Sequence, residues 1–199
     1  MAPSTAWRIL AGGYLLASYA ALPLMPETWR RLDGFLSGRA VWAIYAAGAA
    51  LFLAMLAAVA RRGAGKPRRC ALFVSLAGAA ALLGLLEEGP AEKIHMVQYA
   101  LFGLLVYRAL KESTPPGTNS ILLRGSGICL LAGAGDEVGQ LFLANRVFTW
   151  HDVFVNTVSG VLMLAALRFC LSPADPGKNA RHAPPPGTGR VPATGKTPL

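Results

Sequence analysis

The stretch AVWAIYAAGAALFLAMLAAVA, residues 40–60, decides the fold, because it runs for 21 residues without one charged side chain. A helix rises about 1.5 Å per residue, so a run of this length crosses a hydrocarbon layer of about 30 Å. Further apolar runs of similar length precede and follow it, at 7–25, 70–86, 94–110, 121–144 and 153–171. We therefore predict six transmembrane helices.

The composition supports the same fold class. The chain has 54% hydrophobic and 15% charged residues, whereas a soluble domain carries about 25% charged residues. In lipid, every backbone N–H and C=O must be satisfied within the protein, which leaves only helices and closed barrels. The runs are too long and too continuously apolar for barrel strands. The sequence therefore predicts an all-α, polytopic membrane helix bundle over residues 1–171.

The net charge of +9 reports topology, and we expect no nucleic-acid partner. We assign the turns at 30–39, 87–93 and 146–152 to the outside and all other connections to the cytoplasm. The cytoplasmic side then carries 14 of the 19 lysines and arginines, and the outer side keeps five: Arg30, Arg31, Arg39, Lys93 and Arg146. This is the positive-inside pattern, and it predicts that both termini lie in the cytoplasm.

The orientation is directly testable with reporter fusions. A phosphatase reporter, active only outside the cytoplasm, is expected to be inactive when fused after Lys66 and at the C-terminus, because the basic flanks of both sites favour the cytoplasm. The same reporter fused after Asn145 is expected to be active. Phosphatase activity at either of the first two sites would contradict the predicted orientation.

The last 28 residues, 172–199, differ in composition from the rest. They are rich in proline, glycine and basic residues, and such a segment buries too little apolar surface to fold. We predict a disordered tail after a single membrane domain.

The cysteines indicate no covalent framework. Cys70, Cys129 and Cys170 all fall within or at the end of apolar runs, where an odd number of cysteines is typical of buried free thiols. Their spacing is not that of metal ligands. We predict no cofactor, and we assign no metal ligand.

Polar residues recur at helical spacing in the last three predicted spans. The fourth begins EKIHMVQY, and its Glu92, His95 and Tyr99 are three and four residues apart, so they share one helix face. In the fifth, GDEVGQLF places Asp136, Glu137 and Gln140 within about 100° of arc. The sixth begins HDVFVNTVSG, in which an aspartate and an asparagine are four residues apart.

The predicted topology brings these three polar stripes to one membrane face. The fourth span begins outside, and the sixth descends from outside with Asp152 and Asn156 in its first turns. The fifth rises from inside, and Asp136 lies about fifteen residues along it, or roughly 22 Å. We therefore expect the stripes to meet in the outer half of the bilayer, with Arg146 folding back from the connecting turn to pair with a carboxylate.

These same residues carry a family resemblance. The stretches EKIHMVQYALFGLLVYRAL and GDEVGQLFLANRVFTWHDVFVNTVSG resemble the VanZ-like family of small bacterial membrane proteins over roughly residues 80–165. The matching positions are Lys93, His95, Tyr99, Asp136, Glu137, Gln140, Phe142, Arg146, Asp152, Asn156 and Gly160. One position departs, because Gln98 stands where many relatives carry an acidic residue. The family takes its name from a protein associated with resistance to teicoplanin, and nothing in this chain itself indicates resistance.

Four kinds of function are consistent with this pattern. The first is a membrane protein that binds or modifies an envelope component, in which Arg146 engages phosphate or carboxylate and the amides and carboxylates order hydroxyl groups. The second is an enzyme using a divalent metal or acid–base hydrolysis. The third is ion-coupled transport, and the fourth is a structural role in which the polar groups only join helices.

We favour the first hypothesis. Its expected partners are membrane lipid and a lipid-linked envelope precursor or a glycopeptide, and the pattern identifies no protein partner. The ligand-binding candidates are Glu92, Lys93, His95, Tyr99, Asp136, Glu137, Gln140, Arg146, Asp152 and Asn156.

Overall fold

The computed structural model describes residues 3–62, 67–87, 90–114, 120–143 and 147–171, most of which are helical, with no strand among them. The α-helices are α1 (Pro3–Ala21), α2 (Met25–Phe35), α3 (Ala40–Arg62), α4 (Pro67–Leu86), α5 (Pro90–Lys111), α6 (Ser120–Gln140) and α7 (Trp150–Ala165). A 3-10 turn, Leu22–Leu24, joins α1 to α2, and α7 continues as a π-helix over Ala166–Leu171. The predicted tail, 172–199, lies outside the described residues.

Helical segments that suit a membrane are plentiful in the described part of the chain. Four are both long and apolar enough to cross a bilayer: Ser4–Phe35, Ala40–Arg61, Pro67–Leu86 and Trp150–Leu171. Helices α5 and α6 have the length of a span, with 22 and 21 residues, but the polar residues they carry lower their hydropathy. The all-α membrane class is confirmed, while six spans and cytoplasmic termini stay predictions.

The outward-facing side chains fit a lipid environment. Leu85 on α4 and Leu131 on α6 are 73% and 74% exposed, and Trp42 and Leu53 on α3 also point outward. A water-soluble protein rarely exposes apolar surface on this scale, because its hydration is unfavourable. In a bilayer the same side chains contact acyl chains.

The turn that follows the first span begins later in the chain than the sequence predicts. We predicted a turn over 30–39, but α2 stays helical to Phe35 and only Leu36–Arg39 form the reversal, with Gly38 at φ 77°. Ion pairs at helical spacing explain the difference. Glu27 contacts Arg30 at 2.6 Å and Arg31 at 2.7 Å, three and four residues on, which supports a helix in a polar segment.

The main core lies between α1, α5, α6 and α7. Helix α7 packs chiefly on α5 and α6, and α1 packs on α5. The buried side chains at the centre include Tyr99, Phe102, Val106, Cys129 and Leu164. A smaller cluster joins α3, α4 and the π-helical end through Val59, Phe73, Ala166 and Cys170.

Glycine allows α5 and α7 to approach closely. A Cβ atom added to Gly103 would lie 2.5 Å from the backbone oxygen of Gly160, and one added to Gly160 would lie 2.7 Å from the Cys129 sulfur. Neither position therefore has room for a side chain. Small residues at helix crossings are the usual means of close packing in membranes, and this crossing fixes α7 against the polar faces of α5 and α6.

The predicted free thiols are confirmed. Cys129 and Cys170 are buried and Cys70 is partly buried, and all three are unbridged.

Candidate functional site

Helices α5 and α6 meet through two polar contacts in register. The Nδ1 atom of His95 lies 3.3 Å from Oδ2 of Asp136. One turn along each helix, the Tyr99 hydroxyl donates a hydrogen bond of 3.1 Å to the backbone oxygen of Ala132. As 95 pairs with 136 and 99 with 132, the two helices run antiparallel here.

The polar residues of α6 form a connected group. Asp136 and Glu137 are fully buried, and Gln140 is nearly so. The Gln140 side-chain amide donates to Asp136 Oδ2 at 3.4 Å and to Glu137 Oε1 at 3.0 Å. Buried carboxyl groups are costly unless they are paired and hydrogen-bonded, so these contacts lower the cost of holding two of them side by side.

Glu137 also connects α6 to the beginning of α7. Its Oε2 atom accepts a hydrogen bond of 3.1 Å from the backbone N–H of Thr149. Thr149 is the N-cap residue of α7, and its hydroxyl accepts a bond of 3.1 Å from the N–H of Asp152. An N-cap of this kind satisfies a backbone donor that the helix leaves unpaired. A buried carboxyl of α6 thus fixes the residue that starts α7.

Asn156 brings α7 into the same group. It is almost completely buried and lies against Gly133 of α6, where an added Cβ would be 3.3 Å from Asn156 Cβ. Two polar atoms in this region have no hydrogen-bond partner among the described residues, namely Asn156 Nδ2 and Asp136 Oδ1. Buried polar atoms are nearly always paired, so these two distinguish the group from ordinary interhelical bonding.

We call His95, Tyr99, Asp136, Glu137, Gln140 and Asn156 the polar core. They come from the first half of α5, the last third of α6 and the first turns of α7. The predicted meeting of three polar stripes at one end of the bundle is therefore present in the structure. The outer orientation of that end, and ligand binding there, stay predictions.

Comparison with known proteins identifies the family. The model of the VanZ/LLP1 family matches residues 50–171, which is more than half of the chain. The chain belongs to the VanZ/LLP1 family. Neither the curated proteins nor the solved structures contain a significant match.

The VanZ match confirms the resemblance noted in the sequence and extends it toward the N-terminus. The polar core lies entirely inside the matched region. Together with the long apolar helices, the match makes this chain a VanZ-like membrane protein.

The remaining predicted ligand candidates of this VanZ protein lie at the edge of the polar core or outside the described part. Lys93 is partly buried, and its amine donates to the backbone oxygen of Glu87. Asp152 is partly buried in the first turn of α7. Glu92 belongs to α5, but its side chain lies outside the described residues, as does all of Arg146, so the predicted pairing of Arg146 with a carboxylate stays a prediction. Phe142, also part of the motif, is 84% exposed.

Three contributors were missed by sequence reasoning. Tyr19 of α1 donates its hydroxyl to the same Ala132 oxygen that Tyr99 uses, at 2.5 Å. Glu87 and His151 contact each other, with 2.9 Å between Glu87 Oε1 and His151 Nε2. The only sequence signal for this second pair is that each residue lies in a connection assigned to the same membrane face. Tyr19 had no signal, because an interfacial tyrosine is common.

Glu87 and His151 also form a donor cluster with Asp152. One ligand atom from each of the three lies within 4.8 Å of the others. The polar core itself offers carboxyl, amide and imidazole groups. Its side chains already bond to one another, so it has fewer atoms left to coordinate a metal ion than the cluster has. Acid–base chemistry and hydrogen bonding suit the core, whereas cation binding suits the cluster.

Proposed function

We propose that the polar core binds the polar head group of an envelope lipid or of a lipid-linked cell-wall precursor. The observation that carries the proposal is the pair of unpartnered buried atoms, Asp136 Oδ1 and Asn156 Nδ2. Ionisable groups within membrane helices are expensive, and they commonly mark a site of function.

The chemistry of these two atoms favours a hydroxyl-bearing ligand. A carboxylate oxygen accepts hydrogen bonds and an amide nitrogen donates them. A sugar or glycerol hydroxyl can do both, so one group or two adjacent groups would satisfy Asp136 and Asn156 together. An unmade bond costs each buried atom about 1–3 kcal/mol, which a bound head group would recover.

The ligand's remaining parts fit the rest of the predicted site. A phosphate would be held by Arg146, if that arginine folds back over the core as its position in the connecting turn predicts. The acyl chains would lie along the exposed apolar faces of the helices. We place this activity at the outer face of the bacterial cytoplasmic membrane, where a glycopeptide would meet the same precursors.

A second candidate function is acid–base catalysis on such a lipid. The His95–Asp136 contact at 3.3 Å supports it, because a carboxylate that orients an imidazole is a common arrangement for a general base. A change in the mass of a bound lipid during incubation would favour catalysis, and an unchanged mass would favour binding alone.

Asn156→Ala is expected to weaken lipid binding about tenfold, which corresponds to about 1.4 kcal/mol, the upper range of one hydrogen bond. Thermal stability should change little, since Nδ2 has no partner to lose. The measurement is native mass spectrometry of delipidated protein titrated separately with phosphatidylglycerol, phosphatidylethanolamine and undecaprenyl diphosphate.

Ser159→Ala is the matched control, because Ser159 is buried on the same helix and donates only to Val155 of its own helix, at 2.8 Å. It should bind like the wild type. If the polar core only joins helices, Asn156→Ala will instead lower the melting temperature while leaving lipid binding intact. The proposal would be refuted if, for each of the three lipids, Asn156→Ala bound as tightly as the wild type.

A further inference from the structure

A cluster of three metal-ligating side chains lies beside the polar core. Glu87 follows directly after α4, and His151 and Asp152 stand in the first turn of α7. The Glu87 and His151 side chains touch at 2.9 Å, and the ligand atoms of all three lie within 4.8 Å of one another. Residues 64 positions apart in the chain are thus brought to one point.

The donor set suits a borderline divalent cation. Zinc binds imidazole nitrogen and carboxylate oxygen at about 2.0–2.2 Å, and sites with three protein ligands keep a further position open. Ligand atoms around a tetrahedral zinc ion are then about 3.4 Å apart. In the cluster these atoms lie within 4.8 Å of one another, so the longest separation exceeds the tetrahedral value by at most about 1.4 Å.

Glu87 is the most deeply buried of the three side chains. Its side chain is only 4% exposed and is directed at His151. Among the described residues no lysine or arginine nitrogen lies within ion-pair distance of this carboxyl, since Lys93 contacts the backbone oxygen instead. A buried carboxylate is costly unless it is paired, and in the described part of the chain the side-chain partner of Glu87 is His151.

The other two donors are at least partly accessible. The His151 side chain is 60% exposed, so a hydrated ion can reach the cluster from the aqueous side. The Thr149 hydroxyl accepts from the Asp152 N–H at 3.1 Å, which fixes the first turn of α7.

We infer that Glu87, His151 and Asp152 form a binding site for a divalent transition-metal ion of the zinc type. The ion would join the end of α4 to the beginning of α7 and would leave at least one coordination position for water. This site goes beyond the head-group binding proposed above, and it adds metal ligands where the sequence assigned none.

The test uses full-length protein without a polyhistidine tag, stripped with EDTA and titrated with Zn²⁺ against a chromophoric chelator. The wild type is expected to bind one equivalent. Loss of a residue that only supports a metal ligand costs about 10–100-fold in metal affinity. His151→Ala removes a direct ligand, so it is expected to weaken binding at least about 100-fold. Co²⁺ added to the wild type should give the visible absorption of a bound ion, and His151→Ala should not.

Two variants make the result specific. Asp152→Asn keeps the shape of the side chain and the backbone N–H that bonds to Thr149, and it should also weaken Zn²⁺ binding. This variant provides the test if His151→Ala does not fold. His182→Ala, which changes a histidine outside the described residues, should bind like the wild type. Wild-type protein that binds no Zn²⁺, or variants at 151 and 152 that bind as tightly as the wild type, would overturn the inference.

The outcome is separable from that of the proposed function. Asp136 and Asn156 are not ligands of the cluster, so lipid binding by the polar core should persist in EDTA. Zinc binding without lipid binding would support the metal site and contradict head-group binding by the polar core. Lipid binding without zinc binding would do the opposite.

Discussion

Gly103→Ala is expected to destabilise the folded protein by roughly 3 kcal/mol, the upper range for inserting an atom into a close-packed interior. The added Cβ would lie 2.5 Å from the Gly160 oxygen and 3.0 Å from its Cα. Both are backbone atoms, so no side-chain rotation can relieve the contact, and α7 would have to move away from α5. That movement would also shift Asn156 of α7 away from the rest of the polar core.

Gly78→Ala is the matched control for this variant. Gly78 lies in α4, and a Cβ added there meets nothing within 4 Å. Alanine is favoured over glycine inside a helix by about 1 kcal/mol, so the control should be neutral or slightly stabilising. The measurement is unfolding in mixed detergent–SDS micelles, followed by circular dichroism. Equal stability of the two variants would show that α5 and α7 are not packed as closely as the structure has them.

Much of the fold could be predicted from the sequence, because lipid leaves few alternatives. An uncharged run such as 40–60 must be helical, and the structure has α3 over Ala40–Arg62. The first span was harder. Its end depended on the Glu27 ion pairs, which are local contacts that continue a helix through charged residues. Hydropathy alone does not report such contacts.

The polar core was predictable in part for a different reason. The spacing of four that joins His95 to Tyr99 and Asp136 to Gln140 sets which residues share a face, and the topology sets which ends meet. These rules do not give the Glu87–His151 contact, because the topology places the two connections only at the same membrane face. The contact depends on how the end of α4 packs beside α7, and tertiary packing of connecting segments leaves no periodic signal in a sequence.

The second large effect is expected at the His95–Asp136 pair. Removing one member of a buried hydrogen-bonded pair leaves the other unsatisfied, which costs about 1–3 kcal/mol when the groups are neutral and about 3–5 kcal/mol when they are ionised. We expect His95→Leu to lower the free energy of unfolding by about 3 kcal/mol for this reason. Asp136 would keep only its 3.4 Å contact with Gln140, while its Oδ1 atom already has no partner in the described part of the chain.

A double-mutant cycle separates the pair from its surroundings. His95→Leu combined with Asp136→Ala should be less destabilising than the sum of the single changes, with a coupling energy of about 1–3 kcal/mol. The exposed pair of Glu27 and Arg31 serves as control, because such surface contacts couple by less than about 1 kcal/mol.

The double variant also distinguishes the two roles of the polar core. An apolar replacement of a buried pair can fold as well as the original, so this variant is expected to regain much of the stability that His95→Leu loses. If the core serves only to join helices, it should then behave like the wild type in every assay. If the core binds a lipid head group, the variant should fold and still fail to bind, because Asp136 would no longer offer its free oxygen. Additive losses of stability, with no coupling, would show that His95 and Asp136 do not interact in the folded protein.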